Sequence, residues 1–293
     1  MLYGGIKIEE TQSIIVILGE DNKLFIPHDI IVANNTTDIQ NFVNSMQRGG
    51  ITPEKICFAI NPVHVNSIET FNSFRQIFMQ AAYDLRIINT AAQGDSFIVV
   101  TKSRNANEEA TANAFILKHN YNDSKYFLQS DFRQSYFYNC NLSDYFNLIF
   151  TTVFMFIAIY FLYYGILFAV PHFLIGAGLT ICDIRHMYFA KMSIKKHAPI
   201  FSIDKNGLQQ NYKIRWSFLE PLKIPRTISW KQIEKIETYK PIICINHDNN
   251  ERISICVAGQ SEITLNFFVI GIDHEHNYRT LLFYWKLFRN NGQ

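Results

Sequence analysis

The 293 residues predict a multidomain membrane protein: an α/β lobe, a two-helix transmembrane hairpin, and an antiparallel β-domain with a C-terminal helix. Three observations predict it. Residues 145 to 182 form a block of 38 without a charged side chain. The chain before that block alternates β-branched runs with amphipathic stretches. The chain after it carries short strand-like runs broken by polar turns, then one amphipathic segment.

The lobe's elements come first. "GGIKIE", "SIIVILGE" and "KLFIPHD" read as three strands of a meander. A helix follows, capped by Thr37, with Ile39, Phe42, Val43 and Met46 at helical spacing and Gly49-Gly50 ending it. "KICFAI" reads as a buried strand, and Asn66 with Glu69 as a cap pair opening a helix striped by Ile68, Phe71, Phe78 and Ala82. "LRIIN" closes a β-β-β-α-β-α-β unit. "SRNANEEATANAFILKHN" predicts a helix ending near Lys118; beyond it Tyr126, Phe127, Phe132, Tyr136, Phe137 and Tyr138 read as juxtamembrane aromatics.

The apolar block comes next. As one helix it would be about 57 Å long, nearly twice a hydrocarbon core of about 30 Å. A turn near Gly165 makes two passes. After it, "DIRHMYFAKMSIKK" carries Arg185, Lys191, Lys195 and Lys196 against Asp183, placing the C-terminal part in the cytoplasm. The opening "MLYGGIKIEE" has no export signal, so the N-terminal part is expected there too, at a bacterial inner (cytoplasmic) membrane. A single span over 146 to 170 with an interfacial segment, and a buried helix pair, are the alternatives.

In the last part, "PIFSI", "GLQQNYKIRW", "TISWKQIEKIET", "IICINH", "RISICVAG" and "EITLNFFVIGI" read as strands, and "HNYRTLLFYWKLFRNNG" as a helix burying Leu281, Leu282, Trp285 and Phe288. Trp230, Ile233 and Ile236 read as core anchors, and Asp204 with Gly207 as a turn.

Two resemblances refine this picture. "GIKIEETQSIIVILGE" and "YDLRIINTAA" resemble the opening and the post-helix stretch of an Hsp70/actin-like nucleotide-binding lobe, which has a ribonuclease-H-like α/β fold. In that family the first loop cradles phosphates. Here Lys7 stands in the aspartate position and Glu9 in the glycine position, followed by Glu10 and Thr11. Added carboxylates repel a polyanion, and a side chain at position 9 blocks its approach. "GDSFIVVTKS" stands where the second phosphate loop is expected, so the resemblance implies a degenerate lobe, a pseudo-ATPase. "APIFSIDKNGL" and "ISWKQIEKIE" after a hairpin are similar to bacterial membrane-anchored PH-like proteins, which implies a PH-like antiparallel β-barrel with a C-terminal helix. The expected domains are 1–104 (lobe), 105–144 (juxtamembrane connector), 145–185 (hairpin) and 197–293 (PH-like).

Formal charges are 11 basic against 15 acidic over 1–144, 4 against 1 over 145–196, and 12 against 9 over 197–293, so no region argues for nucleic acid. Five cysteines at positions 57, 140, 182, 244 and 256 form no CxxC pair and predict free thiols. "DHEH" at 273–276 is the His/carboxylate run; its i, i+2 histidines reach one metal only on extended backbone, and a solvated turn is expected, with no metal and no cofactor. GxSxG, HExxH and Walker patterns are absent from the sequence. Lys213, Arg215, Lys223, Arg226 and Lys231 are candidates for anionic headgroups. The expected function is a non-catalytic membrane-tethered scaffold or adaptor for protein-protein interaction, with the lipid bilayer and protein partners, a further copy of itself among them. A nucleotide-binding regulatory subunit and an immunity or defence component binding a toxin or foreign protein are the alternatives.

Overall fold

Two β-branched runs, Leu2–Ile8 (β1) and Gln12–Leu18 (β2), are joined by a tight turn and pair antiparallel from Tyr3↔Leu18 to Ile8↔Ser13. In this computed structural model the described residues are 1–26, 28–90, 106–136, 142–166, 169–195, 199, 201–213, 222–239, 252–259, 263–265 and 274–289. They divide into two units, Met1–Gln134 with Glu275–Gln293, and Ser135–His274.

In the first unit, Ile30–Ala33 (β3) pairs antiparallel with β2, while Ile56–Val65 (β4) pairs parallel with β1, and Asp84–Ile87 (β5) parallel with β4. The order β3-β2-β1-β4-β5 makes a mixed α/β sheet, built from the β-β-β-α-β-α-β succession expected of a ribonuclease-H-like lobe. The third strand differs in place: Leu24 makes only an isolated bridge to Leu18, and pairing resumes at Ile30.

Helices Thr36–Arg48 (α1) and Ile68–Gln80 (α2) cover one face. The α1 stripe Ile39, Phe42, Val43 and Met46 is buried as expected, but the cap is Asn35, whose side chain accepts from the Asp38 amide at 2.8 Å. Ser67 rather than Asn66 caps α2. Phe42, Phe58, Phe74 and Phe78 pack as an aromatic core, with Phe58 and Phe78 edge to face at 4.9 Å.

Ala106–Asn120 (α3) lies on the opposite face. Ala110, Ala114 and Leu117 recur at helical spacing and are fully buried, and their small side chains let the helix approach β1 at Gly5. A Cβ added at Gly5 lands on the backbone of Ala110 and Ala114. Gly5→Ala is therefore expected to cost about 1–3 kcal/mol through overpacking, read as a lower urea midpoint by pulse proteolysis. An unchanged midpoint contradicts this packing. Within the segment expected to be a juxtamembrane connector, α3 is thus a layer of the lobe, and Phe127 and Phe132 are buried. Phe137 and Tyr138 lie outside the described residues.

The C-terminal helix His274–Phe288 (α6), expected to close the β-domain, belongs to the lobe instead. Phe283 packs edge-on against Phe71 at 5.1 Å, Phe288 against Phe132 at 5.3 Å, and Tyr284 Oη donates to the Phe132 carbonyl. Its buried apolar residues are Leu281, Phe283, Tyr284 and Leu287; of the expected face Leu281 is buried, while Leu282, Trp285 and Phe288 are only partly so.

In the second unit, Leu142–Tyr163 (α4) and Ala169–Lys195 (α5) form an antiparallel helical hairpin. Gly165, at φ +76, ends α4 as expected: the Ile166 amide donates to the Phe161 carbonyl and the Gly165 amide to that of Leu162. Gly176 lies against Met155, and Thr151 Oγ1 donates to Asp183 Oδ2 at 3.0 Å. By length and composition Tyr145–Tyr163 is the one described helix apolar enough to cross a membrane.

Gln134–Tyr136 (β6), Phe201–Asp204 (β7), Gly207–Lys213 (β8) and Leu222–Ser229 (β9) form one sheet, ordered β6-β7-β8-β9; Ile233–Tyr239 (β10), Arg252–Val257 (β11) and Ile263–Leu265 (β12) form another. No closed barrel forms among the described residues, and "IICINH" lies outside them. Asp204 Oδ1 accepts from the Asn206 and Gly207 amides, while Trp230 Nε1 donates to the Asp204 carbonyl at 2.8 Å. Trp230, Ile233 and Ile236 are buried, as their anchoring role requires.

Candidate functional site

A lysine inside a β-branched run must either leave the sheet or find a buried partner, because an unpaired ammonium in an apolar core is prohibitive. Lys7 finds one. It sits in β1 on the face covered by α3 and is only 6% exposed. Its ammonium pairs with the Glu109 carboxylate in the first turn of α3.

A local irregularity in β4 builds the rest. The register passes from Ile6↔Ile60 to Ile8↔Val65, so residues 61 to 64 oppose the single residue Lys7. Pro62 supplies no ladder donor in this stretch. Asn61 Oδ1 accepts from the Val63 amide at 3.1 Å and holds the bulge. His64 Nε2 is thereby brought to 3.9 Å from Glu109 Oε1. From α3, Asn113 Nδ2 donates to the Ile6 carbonyl at 2.9 Å. Three elements thus converge on one buried polar cluster: Lys7, Asn61, His64, Glu109 and Asn113.

Burial pushes the His64 imidazole down to about 3, helped by the Lys7 charge and by Arg279; Asn113 works against them. His64 is therefore neutral at ordinary pH. Its Nδ1, together with Asn61 Nδ2 and Asn113 Oδ1, is buried without a hydrogen bond of ordinary geometry, although Asn113 lies close enough to favour the imidazolium. Such unmet capacity is uncommon in protein interiors.

Of the phosphate-loop positions only Lys7 joins this cluster. The Glu9 amide donates to the Gln12 carbonyl at 2.9 Å, the Glu9 carbonyl accepts from Asn34 Nδ2 at 2.8 Å, and the Thr11 carbonyl accepts from the Asn34 amide. These backbone groups close a turn, and Glu10 and Thr11 are exposed. The stretch expected to hold a second phosphate loop lies outside the described residues.

The donor set does not fit a bound metal ion. Glu109 brings one carboxylate and Lys7 neutralises it; no group of three or more His, Cys, Asp or Glu able to hold a metal occurs among the described residues. Asp273 lies outside them, and His276 is buried in α6. Among the lipid candidates, Arg226 on β9 is half-buried and Lys231 exposed, both with other contacts; the side chains of Lys213 and Lys223, and all of Arg215, lie outside the description.

A second feature of the lobe is a cavity of about 470 Å³ between the start of α2 and the end of α6. Asn66, Glu69 and Asn72 line one wall, Trp285, Lys286 and Arg289 the other, with the Arg289 guanidinium 4.9 Å from the Trp285 ring centre.

Sequence reasoning singled out Lys7 and missed Glu109, His64, Asn61 and Asn113. The available signal was the lysine itself: an isolated charge between isoleucines demands an acid from a covering element, and "NEEATANAF" offers one beside a run of small residues.

No family model matches this chain, and no curated protein does. Among solved structures similar at a distance are two of RuvC from Thermus thermophilus. The complex with a Holliday junction substrate is 12% identical, spanning 44% of this chain and 99% of that one at a TM-score of 0.31. The second is also 12% identical, spanning 41% and 92% at 0.28. Likenesses this faint assign neither family nor activity to this chain.

Proposed function

We propose that this protein is a two-pass membrane-tethered, non-catalytic scaffold whose lobe and β-sheet unit bind protein partners. One observation carries the tether. Residues 1–134 and 275–293 pack into a single lobe, so both lie on the same side of any membrane, and whatever runs between them crosses an even number of times. The chain between them contains the α4–α5 hairpin, whose outward residues are large and apolar: Phe150 is 72% exposed, Leu174 63% and Ile175 57%. Lipid tails suit such a surface. The basic run after α5 favours the cytoplasmic side of a bacterial inner membrane for the lobe. The Lys7–Glu109 pair favours a non-catalytic role, because a carboxylate already neutralised by a lysine is a poor metal ligand or general base.

Extraction tests the tether. The protein is expected to stay with membranes in alkaline carbonate and to enter solution only with detergent; release by carbonate contradicts it. Pull-down of the solubilised chain then identifies partners, further copies of itself included.

A nucleotide-binding regulator remains as a second reading because of the α2–α6 cavity, whose volume falls in the range of small-molecule sites. Thermal unfolding with and without Mg-ATP separates the two. The scaffold reading expects no change, and a rise of several degrees favours the regulator.

A further inference from the structure

We propose that the Lys7 ammonium is a resident substitute for a divalent cation: it fills the pocket formed by Glu109 and His64, so the protein binds no metal there, and Lys7→Asp turns the pocket into a metal site. The inference deepens the non-catalytic reading and does not depend on the membrane tether.

The geometry points this way. Glu109 Oε1 and His64 Nε2 are 3.9 Å apart, about 0.5 Å wider than two ligands of a tetrahedral ion with bonds of about 2.1 Å, a difference that a side-chain shift of that size closes. Neither side chain is floppy: His64 is 1% exposed in the β4 bulge, and Glu109 is fixed in the first turn of α3. The third corner is Lys7, the residue of β1 aimed at the same carboxylate. Two amides border these three: Asn113 lies against the His64 imidazole, and Asn61 Nδ2 is buried with no hydrogen-bond partner. Hydrogen-bonding groups of this kind are what orients the ligands of a cation. The cluster therefore has the donor types and polarity of a cation site, with its positive charge supplied covalently by the lysine. Exchanging lysine for aspartate removes that charge, adds a second carboxylate, and leaves an Asp/Glu/His donor set suited to Mn²⁺ or Zn²⁺.

The test uses the full chain in detergent, stripped of metal by chelation, with Mn²⁺ as the probe. Binding is read by the loss of the free Mn²⁺ paramagnetic resonance signal, and folding by circular dichroism and thermal unfolding. The parent protein is expected to show no saturable Mn²⁺ binding at millimolar concentration. Lys7→Asp is expected to bind Mn²⁺ saturably and to gain several degrees of thermal stability from it, both lost in Lys7→Asp/His64→Gln. Saturable binding by the parent that disappears in Glu109→Gln overturns the proposal. So does a Lys7→Asp chain that is folded and indifferent to Mn²⁺, or one that stays unfolded whether or not Mn²⁺ is present. Carbonate extraction is unaffected by any of these outcomes, so the tether and the metal substitute stand or fall separately.

Discussion

Glu109→Leu is expected to destabilise the lobe by about 3–5 kcal/mol, because Lys7 is left as a buried ammonium with no counter-charge. The size follows from desolvation. The pair is worth little net of the cost of burying both charges, but breaking it leaves that cost uncompensated on one partner. Lys7→Met/Glu109→Leu removes both charges and leaves the neutral groups around them, His64, Asn61 and Asn113, as they stand. The double variant is therefore expected to recover most of the loss, to within about 1 kcal/mol of the parent or above it. Pulse proteolysis in urea on the solubilised chain measures all three proteins. Equal losses in the single and double variants would show that the two side chains are not a coupled buried pair.

His64 makes stability fall in mild acid. Its folded pKa lies near 3 and its ordinary value near 6.5, so in that window the unfolded chain binds a proton that the folded chain refuses. Stability rises with pH wherever the unfolded state binds more protons. The neutral imidazole therefore costs nothing above about pH 6.5, and each unit below it removes about 1.4 kcal/mol, or about 2 kcal/mol by pH 5. After burial itself, Lys7 on β1 and Arg279 on α6 oppose a proton on His64, Asn113 on α3 favours one, and the facing Glu109 carboxylate is paired with Lys7. His64→Gln keeps a polar side chain of similar reach and removes the titration. Between pH 6.5 and 5 the parent is expected to lose about 2 kcal/mol more than this variant, read from urea midpoints at each pH. Parallel pH profiles would mean that His64 titrates normally and is not held neutral by burial.

How much of this was legible in the sequence depends on distance along the chain. Strands β1, β2 and β4 and helices α1 and α2 are written in local periodicity, and their order alone gives the lobe's succession of elements. Gly165 marks the hairpin turn because no other residue adopts its φ as cheaply. Asp204 and Gly207 are legible for a related reason, since the turn they form lies within four residues of the chain. Contacts across long separations were not legible. Nothing local to "NEEATANAF" says that it covers a strand about a hundred residues earlier. Its apolar face is alanine, which reads as a generic helix former and not as a packing surface. The terminal helix misled for the opposite reason: its amphipathic pattern is plain, but a pattern names a buried face without naming the partner. Phe283 and Tyr284, not Trp285 and Phe288, are its most buried aromatics, because the partner is Phe71 and Phe132 of the lobe. The site shares this dependence on distance. Lys7 announces a need for a partner, and only the folded chain brings Glu109 and the His64 bulge to it.

The even crossing number is the claim on which the tether rests, and labelling of single cysteines in intact cells tests it most directly. Cysteines are introduced at Asn120, Tyr164 and Asn250 in a background lacking the native thiols, and an impermeant maleimide is added before and after permeabilisation. The account predicts that Tyr164→Cys, at the hairpin turn, reacts in intact cells, while Asn120→Cys and Asn250→Cys react only once the membrane is opened. Opposite accessibility of Asn120→Cys and Asn250→Cys would contradict it, because the lobe and the β-sheet unit would then face different compartments.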